Sequence, residues 1–429
     1  MIDLKGFIAR LRQLDELREV AEPVDPQLQL AACCRREFAG EKGQALLFRE
    51  VQGARFPAAA NLFGSQRRAA ELLHSRSLDD FSGRVETLLA GLKSQTSWSG
   101  LNELTGQNPA VESGLQHRPE LTLTELPAIK SWPGEGGRYL TLALAVSRHP
   151  LTGVVNLGLY RAQLLGPDRL ALNFSPASGA AEHLRLAAEK GCALPISLVL
   201  GGDPALWWVA AAPLPTACSE YLFYETLFQR QLPLCPGIAQ GLPVPATAEL
   251  VIEGEISAED RVVEGPFGNH TGQYVSRTDC PLMRVTAIQA QTDPLIPLTT
   301  VGPPPSENVY LAAASERFIR ALILHDHTQV RDLVMPRDTA FHSVALLSVS
   351  NQNRADTKDL IDSLWREGPL QRARLMIVFD EDIDLHQGTA VWWRAVNLLS
   401  PERIYSSAGR LAVDASGIDP HKLIQTENA

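Results

Sequence analysis

The sequence predicts an α/β chain of several domains with a β-rich middle, and three observations lead to that class. The chain has 429 residues, more than one hydrophobic core usually serves. Helical spacing and short apolar runs alternate near both ends. From about Val111, apolar runs instead succeed one another between Pro and Gly clusters, the texture of strands joined by turns.

Over 4–17, Leu4, Phe7, Ile8, Leu11 and Leu14 recur at helical spacing, and Pro23 blocks any continuation. Residues 45–48 and 58–64 read as short strands and 66–73 as a helix. In the middle, strands are expected at 142–146, 154–165, 170–174, 196–200, 248–256 and 282–290, with helices at 181–190 and 219–230. After Gly302-Pro303-Pro304-Pro305, helical segments again alternate with strands such as 344–349 and 375–379, and the tail from His421 is expected to fray. No repeat or low-complexity linker interrupts the chain. The expected division is 1–110, 111–298 and 299–429.

Composition excludes several classes. No run approaches the roughly 20 apolar residues of a membrane span. The start, Met1-Ile2-Asp3-Leu4-Lys5, is not a basic segment followed by an apolar one, so a cytoplasmic location is expected. Six cysteines, at 33, 34, 192, 218, 235 and 280, form no Cys-x-x-Cys pair and suggest reduced thiols. A net charge of −10 without a basic stripe argues against nucleic acid as a partner.

Three segments carry polar chemistry. Asn156-Leu157-Gly158-Leu159-Tyr160-Arg161 places an amide and a guanidinium on an apolar segment, a pattern that a strand with solvated ends would also give. Residues 263–272, Val-Glu-Gly-Pro-Phe-Gly-Asn-His-Thr-Gly, combine three glycines with polar side chains. They read either as a loop wrapped against a ligand or as a turn between strands. In Cys218-Ser219-Glu220-Tyr221, Glu220 falls at a helix start, where the dipole favours a carboxylate in any case.

Together these segments resemble the UbiD-like family of decarboxylases, which includes polyprenyl-hydroxybenzoate and ferulic acid decarboxylases and uses prenylated FMN. The resemblance continues through Asn61-Leu62-Phe63-Gly64, Leu126-Pro127, Trp132-Pro133-Gly134, Val244-Pro245-Ala246, Glu253-Gly254, Gly302-Pro303-Pro304 and Asp380-Glu381-Asp382. It implies an N-terminal α/β region, a central split β-barrel that binds flavin, and a C-terminal α/β domain through which copies associate. It also implies a flavin prenyltransferase as cofactor supplier and a homo-oligomeric enzyme.

The resemblance assigns residues as well. Asn156 and Glu220 match the ligands of a divalent metal, manganese or magnesium, with a monovalent cation as a further candidate. Leu159, Tyr160 and Arg161 fall beside the flavin, and the next cofactor-lining stretch falls on Asn173, Phe174, Ser175, Ser178 and Gly179. Relatives usually carry a His in that stretch, where this chain has Pro176-Ala177-Ser178. His183 lies nearby but reads as a packed or exposed helical residue. Arg410 stands where relatives often have a cofactor-contacting Lys.

Arg161 and Glu264 match the first two members of the family's catalytic group. The third, a proton-donating carboxyl, is replaced by Asn269, and an amide cannot shuttle a proton near neutral pH. Glu264, His270 or a water would then have to serve, although His270 faces away from Asn269 in an extended segment. Three readings stay open. The first is reversible, non-oxidative decarboxylation of an aromatic, heteroaromatic or α,β-unsaturated acid with a rearranged proton relay. The second is another lyase-type reaction on the same cofactor. The third is a catalytically impaired flavin-binding or scaffold homologue.

Overall fold

The computed structural model describes residues 3–417 apart from 41–42, 93–95, 107, 338, 340–342 and 351–353. The tail expected to fray lies outside the described residues. Two compact units form, one from Met1–Arg84 and Leu101–Leu311, the other from Val85–Gly100 and Ala312–Ala429.

The first unit begins with the helix Leu4–Gln13, which buries Leu4, Phe7, Ile8 and Leu11 and is capped where Asp3 accepts the Gly6 amide. This helix is shorter than the 4–17 expected. Asp15 turns the backbone into the left-handed region at φ 57°, and Glu16 N–H closes on Leu11 C=O at 2.9 Å. Leu17–Val20 is therefore free to become a strand. It pairs in parallel with Ala45–Phe48 in a sheet completed by Ala58–Ala60 and by Ile296–Leu298, a strand supplied by the end of the middle region.

The middle of this unit is a closed ring of six antiparallel strands: β1 (Tyr139–Arg148), β2 (Val155–Leu164), β3 (Arg169–Leu172), β4 (Leu194–Gly201), β5 (Ala248–Gly268) and β6 (Tyr274–Ala290). Their order is β5-β4-β1-β2-β3-β6, and pairing of β5 with β6 closes the ring, while β3 pairs with β2 only over the last residues of β2, Ala162–Leu164, which leaves the earlier part of β2 open on that side. Leu140, Ala143, Ala162, Leu170, Leu198, Ile252 and Met283 fill its core. β5 and β6 run 21 and 17 residues, well past the apolar runs that announce them. Register shifts on β5 before Arg261, Glu264 and Phe267 bend that extension and re-aim its side chains. Two helices attach to the ring: α1 (Gly179–Glu189) and α2 (Glu220–Phe228).

The second unit is an α/β sheet in the order Val330–Val334, Val344–Val349, Leu375–Asp380, Arg410–Ala415, Ile404–Ser407. The central three strands are parallel and joined through the helices Arg354–Arg366 and Gly388–Asn397, as crossover connections require. The second of these helices buries Val391 and Ala395 but exposes Trp392, Trp393 and Val396. Among the described residues no helix is long and apolar enough to cross a membrane.

Candidate active site

Alternate residues of a strand face opposite sides. On β2, Tyr160 and Ala162 pack on the ring's core, so Leu159 and Arg161 occupy the other face. There Arg161 makes a two-pronged contact with Glu264 of β5: Nε donates to Oε1 at 2.7 Å and Nη2 to Oε2 at 2.8 Å. Asn173, just past β3, donates from Nδ2 to the same Oε2 at 2.7 Å. The Glu264 side chain is fully buried, while a fifth of Arg161 stays exposed. The guanidinium also lies 4.4 Å over the Phe267 ring. Glu264 thus holds one edge of the guanidinium and Phe267 covers one face, which leaves the Nη1 side to receive an anion.

The segment 263–272 is not one wrapped loop. Its first half is the end of β5, where Phe267 pairs with Val275 and Gly268 with Tyr274, and the turn is confined to the residues between Gly268 and Tyr274. Asn269 builds that turn. Its N–H donates to Gln273 C=O at 3.0 Å, and its Oδ1 accepts the Thr271 amide at 2.9 Å and the Thr271 hydroxyl at 2.5 Å.

A second cluster lies on the opposite face of β2. Asn156 packs against Gly179 at the start of α1 so closely that a Cβ on Gly179 would sit 2.1 Å from Asn156 Oδ1. Asn156 Nδ2 is buried without a hydrogen-bond partner. Amide nitrogen and oxygen are exchangeable by a flip, so this orphan position equally presents an acceptor oxygen to a cation. Glu220, at the start of α2, accepts the Leu157 amide at 2.9 Å, and burial pushes its carboxyl up to about 7. A cation at this carboxylate would relieve that desolvation. Oxygen donors of this kind suit a hard divalent ion; among the described residues no group of three or more His, Cys, Asp or Glu could hold a metal alone. The Tyr160 ring meets Phe174 edge-on at 4.9 Å on this face.

The remaining candidates have structural uses. Ser175 C=O accepts the Ser178 hydroxyl at 2.7 Å, and Ser178 caps α1 by accepting the Ala181 amide. Phe174 C=O accepts Arg277 Nη1 at 2.7 Å. His183 is buried, shares a 2.9 Å hydrogen bond with Ser147 Oγ and meets His149 edge-on; burial lowers its pKa to about 4. It is a packed histidine. Arg410, in the second unit, lies over the Trp365 ring and donates to the carbonyls of Trp365, Gln371 and Ser407. Those bonds brace the end of its own sheet.

Models of the three 3-octaprenyl-4-hydroxybenzoate carboxy-lyase domains match the chain in order: the N-terminal domain over 8–86, the Rift-related domain over 103–304 and the C-terminal domain over 309–422. The chain belongs to the UbiD carboxy-lyase family. An uncharacterised relative from Aquifex aeolicus is 33% identical over 415 residues, covering 94% of this chain and 85% of its own length. Vanillic acid decarboxylase of Sedimentibacter hydroxybenzoicus in its closed form shares the fold at a TM-score of 0.85, with 22% identity over 100% of this chain and 94% of that one. An evolved dimeric form of the UbiD-class enzyme HmfF from Pelotomaculum thermopropionicum, in complex with prFMN, does so at 0.82, with 23% identity over 99% and 96%. Within this UbiD fold, one contributor escaped the sequence reading: Phe267, which packs under the Arg161 guanidinium, passed as part of a loop.

Proposed function

We propose that this chain is a reversible, non-oxidative decarboxylase of an aromatic, heteroaromatic or α,β-unsaturated carboxylic acid, using prenylated FMN and a divalent metal. The observation that carries this reading is the buried Arg161–Glu264 pair with Asn173 on the shared oxygen. When bound, the prenylated flavin supplies the electron sink that loss of carbon dioxide requires. Arg161 grips the substrate carboxylate from its Nη1 side. Glu264 and Asn173 fix the guanidinium's plane, and Phe267 keeps water off one face. Asn269 has no proton to give, so protonation of the product carbon passes through another group or a held water.

Asn156 and Glu220 would hold the metal, with phosphate at the start of α1 as its third partner. A Gly179→Ala variant tests this, because its Cβ displaces Asn156 Oδ1. Manganese affinity measured by calorimetry on the flavin-loaded protein is expected to fall about 10-fold or more; an unchanged affinity removes Asn156 from the ligand set.

The reading itself is tested by co-expression with a flavin prenyltransferase. Absorbance and mass spectrometry of the purified protein should then show prenylated FMN. Deuterium exchange from heavy water should occur into at least one acid of a panel that includes vanillic acid. No bound flavin under those conditions rejects the proposal.

A second copy of the chain is the expected partner at the helix Gly388–Asn397, where Trp393 is 65% exposed and Val396 66%. A Trp393→Glu substitution should shift the protein to monomer in sedimentation velocity. A wild-type monomer would refute the assignment.

A further inference from the structure

Glu135 is a buried carboxylate outside the Arg161 cluster, and every polar contact it makes is to backbone. Oε2 accepts the Ser131 amide at 2.6 Å and the Trp132 amide at 3.2 Å, and Oε1 accepts the Gly268 amide at 3.2 Å. The first two amides belong to the turn ahead of β1; the third ends β5, one residue before Asn269. Burial raises the carboxyl's pKa, so keeping a carboxylate here needs a reason beyond packing.

Neighbouring contacts tie the 132–139 stretch to the end of β5 and to the chain around it. Gly136 N–H donates to Pro266 C=O at 2.8 Å, and Tyr139 Oη donates to that carbonyl at 3.2 Å. Gly134 N–H donates to the Tyr274 hydroxyl at 3.0 Å. The Trp132 indole fills a slot between Gly268 and Gly302, donates to Val301 C=O at 2.7 Å and is covered by Arg35, 4.3 Å away. A Cβ on Gly136 would stand 2.0 Å from Gly265 C=O, so only glycine admits this approach. Glu264 and Phe267 lie on the stretch so clamped.

We propose that Glu135 is a positioning residue for the reaction: its carboxylate bolts the 131–136 turn to the end of β5 and thereby fixes where Glu264 and Phe267 hold Arg161. The inference rests on the decarboxylase reading for its kinetic part only.

The test uses the flavin-loaded, full-length protein and a Glu135→Gln variant, whose single carbonyl oxygen can serve Gly268 or the 131–132 turn but not both. In wild type, hydrogen exchange in peptides covering 264–269 should be slow. The variant should speed it about 10-fold while flavin content stays the same. On an acid that wild type turns over, kcat should drop about 10- to 100-fold while KM changes by less, because the Arg161 grip is misplaced and not removed. Glu135→Asp, which keeps both acceptors on a shorter arm, should recover part of kcat, and it replaces the Gln variant if that one does not fold. Unchanged exchange over 264–269, or a rise in KM at constant kcat, overturns the proposal. If wild type turns over no acid, the decarboxylase reading fails while the exchange measurement still decides whether the clamp exists.

Discussion

A Glu264→Gln variant is expected to retain bound flavin and lose turnover by about 10²–10³-fold. Glu264 accepts three donors, two from Arg161 and one from Asn173. Gln offers one acceptor oxygen and one donor nitrogen in the same volume, so in either orientation its NH2 faces an Arg161 N–H. The conflict resolves when Arg161, already one-fifth exposed, swings away from Phe267. A Glu264→Ala variant would add a cavity and an uncompensated guanidinium, destabilising the fold by about 3 kcal/mol in the manner of a broken buried pair. Steady-state kinetics with flavin quantified by absorbance separates loss of cofactor from loss of geometry. Full activity in Glu264→Gln would remove the pair from the mechanism.

The fold was legible in local patterns, since apolar runs announced every strand of the ring. Arg161 and Glu264 were legible through the family resemblance of their two segments, which by their own composition left a plain strand and a turn open. The extension of β5 was not legible, because Ser257–Arg261 breaks the apolar run with Glu259, Asp260 and Arg261, and the strand resumes there only through pairing with β6. Contacts across long stretches of chain were also hidden. Asn173 reaches Glu264 over 91 residues and Glu135 reaches Gly268 over 133, distances at which spacing carries no signal. The segment 156–161 is a strand whose odd and even residues serve two faces, Arg161 on one and Asn156 with Tyr160 on the other.

An Asn269→Asp variant is expected to raise turnover at least about 100-fold, the usual contribution of a well-placed general acid. The turn permits the exchange without strain, since Asp supplies the same oxygen to the Thr271 amide and hydroxyl that Asn269 Oδ1 supplies now. Only Nδ2 changes, becoming the oxygen that can carry a proton. Accepting two hydrogen bonds at the other oxygen makes that proton easier to give and harder to regain, so the gain should be largest on the acid side of neutrality. Deuterium exchange into the product in heavy water, compared between wild type and variant at several pH values, reads the proton step apart from carbon dioxide release. No acceleration would mean that a different group already delivers the proton. Asn269 would then act through its amide N–H as a donor to substrate, a role the Thr271 bonds equip it for by fixing the amide's orientation.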